Sequence, residues 1–181
     1  MEIIATLRES EIYTDREITP EDQYGMPRRA VRIVLFDEHE NVALGYYSTK
    51  ENRPSEAYNI PGGGIDEGES IHDALTREAR EEIGCDIKDI REIGRVMEYG
   101  VGKKVKHFQE NYCFLAEVDG GKGEPKFSEE EIEDGLDVRW LPLDEAIEKL
   151  KLQKDNFGTR KTLILLERAS EIIQKDREFH G

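Results

Sequence analysis

The chain has 181 residues, 37% of them charged, and a formal net charge of −15 with histidine neutral. Its 36% hydrophobic residues plus 16 glycines bring it near the ordinary globular composition of about 45–50% apolar, which excludes a wholly disordered chain. The acidic balance also argues against partners held by nonspecific contact with phosphates, because such contact needs clustered Lys and Arg. Extended nucleic acid and anionic membrane are therefore not expected as partners.

The longest unbroken apolar run, Tyr112 to Ala116, is far shorter than the roughly 20 residues that cross a bilayer. The start, Met1-Glu2-Ile3-Ile4, lacks the basic, apolar and small-residue segments of a secretory signal. Cys85 and Cys113 have no CxxC or His-spaced partner and read as buried reduced thiols. The expectation is a cytoplasmic protein, monomer or homodimer, with one domain over 1–181 in which 1–27 form an N-terminal strand and loop extension. An acidic protein that holds a small anionic ligand needs a cation between them, which points to bound metal.

In chain order, Ile3 to Tyr13 reads as an edge strand, and Thr14 to Pro27, with two prolines, as a loop. The β-rich run Val31 to Phe36 and the run Val42 to Tyr47, separated by Asp37-Glu38-His39-Glu40-Asn41, predict a hairpin. Ser48 to Ser55 is a loop before a short strand at Ala57 to Ile60. Helix period governs Ser70 to Ile83, with Ser70 and Asp73 spaced as a weak capping box and Gly84 as the stop. Strands follow at Asp86 to Tyr99 and His107 to Val118, and Asp119 to Gly135 reads as a long acidic, glycine-rich loop. A strand at Leu136 to Leu141 leads through Pro142 into a helix with Leu143, Ala146, Ile147 and Leu150 on one face, and Thr159 to Gln174 is again helical. Strands flanked by a few helices suggest a layered α/β or α+β sheet domain.

The helix from Ser70 breaks its own pattern. At 100° per residue, Ile71, Ala74, Leu75, Ala79 and Ile83 form an apolar stripe, yet Glu78 and Glu82 fall inside it and Glu81 beside it. These glutamates are i, i+3 and i+4 neighbours near the helix C-terminus, where mutual repulsion and the helix dipole both work against them. Desolvating an unpaired carboxylate costs several kcal/mol more. Arg77 can pair with Glu81, while Arg80 points away, so arginine alone does not neutralise the cluster. A hard divalent cation such as Mg²⁺, which takes carboxylate oxygens and accepts substrate phosphates, does. Just upstream, Pro61-Gly62-Gly63-Gly64 would let backbone approach a ligand, and the absence of a following GK[ST] excludes a P-loop.

Taken together, Gly63, Glu69 and Arg77-Glu78-Ala79-Arg80-Glu81-Glu82-Ile83-Gly84-Cys85 resemble the signature box of the Nudix hydrolases at every fixed position, with Cys85 where an aliphatic residue is usual. The flanking strands and Trp140-Leu141-Pro142-Leu143-Asp144-Glu145-Ala146 also look like the family's layout. The resemblance implies an α/β/α sandwich around a central mixed β-sheet. It implies hydrolysis of the diphosphate linkage in a nucleoside diphosphate derivative, with Mg²⁺ or Mn²⁺ and water as nucleophile.

By the same resemblance, Glu78, Glu81 and Glu82 with the Gly62 carbonyl would ligate the metal, and Arg77 would orient the glutamates. The general base is either a box glutamate or one acid of the group Glu129, Glu130, Glu131, Glu133 and Asp134. For substrate contacts the candidates are Arg28 and Arg32, Lys104 within the patch Lys103 to His107, and Glu131. Neither the proline of the ADP-ribose branch nor the tyrosine of the dinucleoside polyphosphate branch stands at its usual place, where the chain has Tyr99-Gly100-Val101. The expected partner is a small nucleotide, such as a damaged nucleoside triphosphate or a nucleotide sugar. The competing reading is a Nudix-fold module that binds a nucleotide and does not cleave it.

Overall fold

The computed structural model describes residues 1–12, 24–48, 56–101 and 106–180. Parts of two expected loops, 14–23 and 49–55, lie outside the described residues, as do Lys103 and Lys104. Among the described residues seven strands form one sheet: β1 (Ile3–Arg8), β2 (Arg28–Phe36), β3 (Asn41–Tyr47), β4 (Ala57–Asn59), β5 (Asp86–Val101), β6 (Lys106–Asp119) and β7 (Leu136–Pro142). Their order is β1-β5-β6-β2-β3-β4, with β7 also paired to β3. The β1–β5 and β2–β6 pairs are parallel and the others antiparallel, so the sheet is mixed as expected.

Period-2 alternation sorts the strand residues into two cores. Val31, Ile33 and Leu35 of β2, with Phe114 and Ala116 of β6, face helix α2 (Ile71–Glu78) and bury Ala74, Leu75, Ala79 and Ile83. Val34 and Phe36, with Cys113 and Leu115, face the other side. They pack on Ala146 and Leu150 of α4 (Leu143–Lys151) and on Leu165, Leu166 and Ala169 of α5 (Phe157–His180). Helix, sheet and helix thus make the three layers. Cys85 and Cys113 are both buried and free, as expected of reduced thiols. Among the described residues no helix is long and apolar enough to cross a membrane.

Three expectations need correction. The N-terminal strand stops at Arg8 and turns into a four-residue helix, α1 (Glu9–Ile12). The stretch from Asp119 to Gly135 is not all loop, because it contains α3 (Glu129–Asp134). Ser128 accepts the Glu131 N–H while the Glu131 carboxylate accepts the Ser128 N–H at 2.7 Å, a complete capping box. The hairpin turn between β2 and β3 does form, but the two strands pair only at Phe36 and Val42 before diverging. β3 turns instead to β7, in register from Asn41–Pro142 to Tyr47–Leu136.

That divergence makes room for the site. The glycine-rich segment enters the fork and takes over the free edge of β2. Val31 N–H donates to the Gly63 carbonyl at 2.9 Å, Ile33 N–H to the Pro61 carbonyl at 3.0 Å, and Ile65 N–H to the Arg29 carbonyl at 3.0 Å.

Candidate active site

Ser70 caps α2 by accepting the Asp73 N–H at 3.1 Å. The helix does not end as an ordinary α-helix. It passes into a π-helical turn, Ala79–Ile83, in which Gly84 N–H donates to the Ala79 carbonyl at 3.0 Å. Such single-turn π elements recur at functional sites because they re-aim side chains. Gly84, left-handed at φ 81°, then stops the helix.

The two glutamates inside the apolar stripe point at the glycine-rich segment. Glu78 is buried, and Glu82 accepts the Gly62 N–H at 2.7 Å. Gly62 has φ 125°, a conformation open to glycine, and Gly63 lies so close that a methyl there would sit 2.7 Å from the Glu78 carboxyl carbon. Glycine at these two places therefore lets backbone and carboxylates share one small space. Glu81 is half exposed at the rim.

Arg77 ties this arrangement together. Its Nε and Nη2 donate to the two oxygens of Glu69, each at 2.9 Å, and Nη2 also reaches the Gly64 carbonyl at 2.8 Å. Its Nη1 donates to Glu78 at 2.7 Å and to Glu81 at 3.2 Å. A planar guanidinium can serve four acceptors in this way, and an ammonium cannot. Arg77 hydrogen bonding holds the Glu69 carboxyl at about 2, and the same bond to Glu69 leads the influences that push the Arg77 pKa upward. Arg80, as expected, points away and pairs with Asp86 at 2.6 Å.

One guanidinium does not satisfy the whole cluster. Burial pushes the Glu82 carboxyl up to about 7, against the Gly62 N–H that favours its charge, and the nearby charges of Glu78 and Glu131 add to the rise. Burial likewise pushes Glu78 upward despite Arg77. Two carboxylates strained toward protonation are a donor set that a hard divalent cation relieves, since it stabilises their ionised form. The residues fit such an ion. Among the described residues no three acidic, His or Cys side chains are already gathered round one point, and the Arg77 guanidinium stands between Glu78 and Glu81.

The other candidates fall into place around this centre. The Gly62 carbonyl accepts from Arg32 Nη1, and Arg28 donates to Gln109 at 2.7 Å. Glu131 is engaged in the α3 capping box, at 2.8 Å from the Ser128 hydroxyl. Its negative charge is nonetheless felt at Glu82. Glu129, Glu130 and Glu133 are exposed. Among the aromatic residues weighed between base stacking and core, Phe114 is core, while Tyr46 and Tyr58 pack on each other at 5.0 Å.

Sequence reasoning missed Glu69 as the bidentate partner of Arg77. It also missed a buried polar group on the α5 face of the sheet, where Lys161 donates to Glu98 at 2.8 Å and Gln109 and Asn111 donate to the other Glu98 oxygen at 3.0 and 3.2 Å. Lys161 lies four and eight residues before the buried Leu165 and Ala169, so a charge inside an apolar stripe was the available signal.

A family model of the NUDIX domain matches residues 26–164. Three curated relatives are named RNA pyrophosphohydrolase. That of Nitratiruptor sp. is 31% identical over 110 residues, covering 54% of this chain and 70% of the relative. That of Wolbachia pipientis subsp. Culex pipiens is 34% identical over 73 residues, 40% of this chain and 41% of the relative. That of Bartonella quintana is 41% identical over 70 residues, 36% and 40% respectively. The chain thus spans about two fifths of the length of two of these relatives. Among solved structures, the NUDIX domain of Shewanella oneidensis NrtR complexed with ADP ribose superposes with a TM-score of 0.59 at 20% identity, covering 91% of this chain and 98% of that one. A NUDIX hydrolase from Nitrosomonas europaea gives 0.59 at 18% identity, covering 81% and 90%. These two share the fold. With the family model covering well over half its length and the glutamate helix seated on its glycine-rich segment, the chain belongs to the Nudix hydrolase family.

Proposed function

We propose that the protein is a divalent-metal-dependent pyrophosphohydrolase that cleaves the diphosphate linkage of a small nucleoside diphosphate derivative by attack of water on phosphorus. The observation that carries this reading is the pair Glu78 and Glu82, both desolvated, both driven toward protonation and both aimed at Gly62 and Gly63. Glu78, Glu82 and Glu81 would hold Mg²⁺ or Mn²⁺, with the Gly62 carbonyl as a further oxygen donor. The bound ion would polarise phosphoryl oxygens and acidify water.

The chain's own contribution is positioning. Arg77 fixes Glu78 and Glu81 against Glu69, and the Gly62 N–H fixes Glu82. A box glutamate or Glu131, whose charge reaches Glu82, supplies the base that takes the proton of the attacking water. The three relatives named RNA pyrophosphohydrolase favour a second reading, in which the diphosphate lies at the end of an RNA. The formal charge of −15 weighs against a long polyanion and for a small nucleotide.

The test incubates the protein with Mg²⁺ or Mn²⁺ and a panel of nucleoside diphosphate sugars, nucleoside triphosphates and a short RNA ending in a 5′-triphosphate, following the released products. Hydrolysis of small nucleotides, reduced at least about 100-fold in Glu78→Gln and in Glu82→Gln with circular dichroism unchanged, is expected. Near-normal turnover in both variants would overturn the site. Binding of a nucleotide without products would favour a non-catalytic module.

A further inference from the structure

Beside Glu82, on the α5 side of the fork, lies a cavity of about 230 Å³ whose lining includes Arg32, Asn59, Gly62, Glu82, Lys161 and Thr162. It is several times the roughly 30 Å³ share of one water and below the roughly 300 Å³ at which pockets take a whole drug-sized ligand. Its size suits a fragment such as a phosphoryl group with part of a sugar. Two cations reach it in a chain that is strongly acidic overall.

Both cations carry donors in excess of their acceptors. Arg32 uses Nη1 on the Gly62 and Val31 carbonyls, and its Nε is buried with no hydrogen-bond partner among the described residues. Among the described residues no carboxylate lies within ion-pair distance of Arg32, although its charge is felt at Glu78 and Glu82. Lys161 has three ammonium donors and, among the described residues, one acceptor, Glu98 Oε1 at 2.8 Å. The other Glu98 oxygen is taken by the Gln109 and Asn111 amides, so Glu98 anchors Lys161 at the cavity wall. Burial lowers the Lys161 pKa to about 8, which leaves the ammonium form dominant at neutral pH. A buried guanidinium nitrogen without an acceptor costs free energy unless a ligand supplies one, and a phosphate offers several charged acceptors at once.

We propose that Arg32 and Lys161 are substrate-binding residues that together seat a phosphate group of the nucleotide in this cavity, next to the hydrolytic centre. The assignment rests on the pyrophosphohydrolase reading for the identity of the substrate, and it adds a contact from α5 and the sheet floor to those of the glutamate helix. It selects substrates by anionic charge on the Glu82 side of the scissile linkage. Neutral nucleosides gain nothing from it.

The test is calorimetric titration of the metal-free protein in EDTA with inorganic pyrophosphate, with ADP and with adenosine. Removing the ion takes away the other attraction for phosphate, so the readout does not depend on hydrolysis. Pyrophosphate and ADP are expected to compete for one site. Their affinities should fall at least about 10-fold in Lys161→Met and in Arg32→Gln, with adenosine unaffected.

Because Lys161→Met strands the buried Glu98 carboxylate, the double variant Lys161→Met/Glu98→Gln repeats the measurement with the pair neutralised. Wild-type affinity in the folded double variant and in Arg32→Gln would overturn the proposal. So would pyrophosphate binding that ADP cannot displace, which marks a site for free anions only, or no binding of either. Failure of the hydrolase reading shows itself separately, as absence of turnover with metal present.

Discussion

Gly63 directly faces the buried carboxylate of Glu78. A single methyl there would come within 2.3 Å of the Glu78 carboxylate oxygen that Arg77 holds by a 2.7 Å hydrogen bond. Gly63→Ala is expected to lower kcat about 100-fold or more while leaving the melting temperature within a few degrees, because a shift near 1 Å at a reacting centre costs on that order. Turnover and thermal melts on the same preparation check it. Arg77→Lys should be nearly as damaging, since no ammonium can hold Glu69, Glu78, Glu81 and the Gly64 carbonyl together. Kinetics should show the loss in kcat more than in KM, consistent with a positioning role. At this scale the sequence was most readable where a charge violated an apolar stripe, as at Glu78 and Glu82. Lys161 carried the same signal in α5 and went unread, because its partner Glu98 lies 63 residues away on another element, held there by Gln109 and Asn111, and no local pattern links them.

The turn between β2 and β3 is organised by Asp37, whose carboxylate accepts the His39 and Asn41 N–H groups at 2.9 and 2.8 Å and the Lys122 ammonium at 2.6 Å. Burial, the largest single influence, acts to raise its pKa, but Lys122 and the turn hydrogen bonds together outweigh it and hold the carboxyl at about 2. The native value lies below the ordinary 3.8, so the unfolded chain takes up the proton first as pH falls. The stabilisation is complete above about 4 and disappears toward pH 2. Asp37→Asn should therefore cost on the order of 1–2 kcal/mol at pH 7, and thermal melts of variant and wild type should converge as pH drops from 4 to 2. Gly84 offers a second test at this level. Its φ of 81° and the 2.6 Å that would separate a methyl from the Glu124 backbone carbon make Gly84→Ala destabilising by about 1–3 kcal/mol, readable in denaturant midpoints. Most strands and helices were legible from periodicity, but α3 was not. Its Ser128–Glu131 capping signature was in the sequence, masked by the surrounding glycines and acids. The β2–β3 ladder was overread because β3 finds its long partner in β7, some 95 residues on, and local adjacency says nothing of that.

For the molecule as a whole, acidity and the strained glutamates have one shared consequence for ligand-linked stability. An ion that binds the folded state alone adds about 2.7 kcal/mol at 100 times its Kd, which for a domain of this size is a rise of roughly 5 to 10 °C in Tm. Mg²⁺ or Mn²⁺ should produce that rise, EDTA should reverse it, and Glu78→Gln/Glu82→Gln should abolish it in scanning calorimetry. The layered architecture could be anticipated from the alternation of strand and helix patterns, and its mixed sheet from the family resemblance. The fork within the sheet could not, since it depends on which strand edge the glycine-rich segment occupies. That fork gives β2 an unusual position, with its Val31 and Ile33 amides bonded to the carbonyls of Gly63 and Pro61 and not to a neighbouring strand. Hydrogen–deuterium exchange at those two amides would then report directly on events among the glutamates, and slower exchange there on adding nucleotide would register occupancy from inside the scaffold, with no label or turnover required.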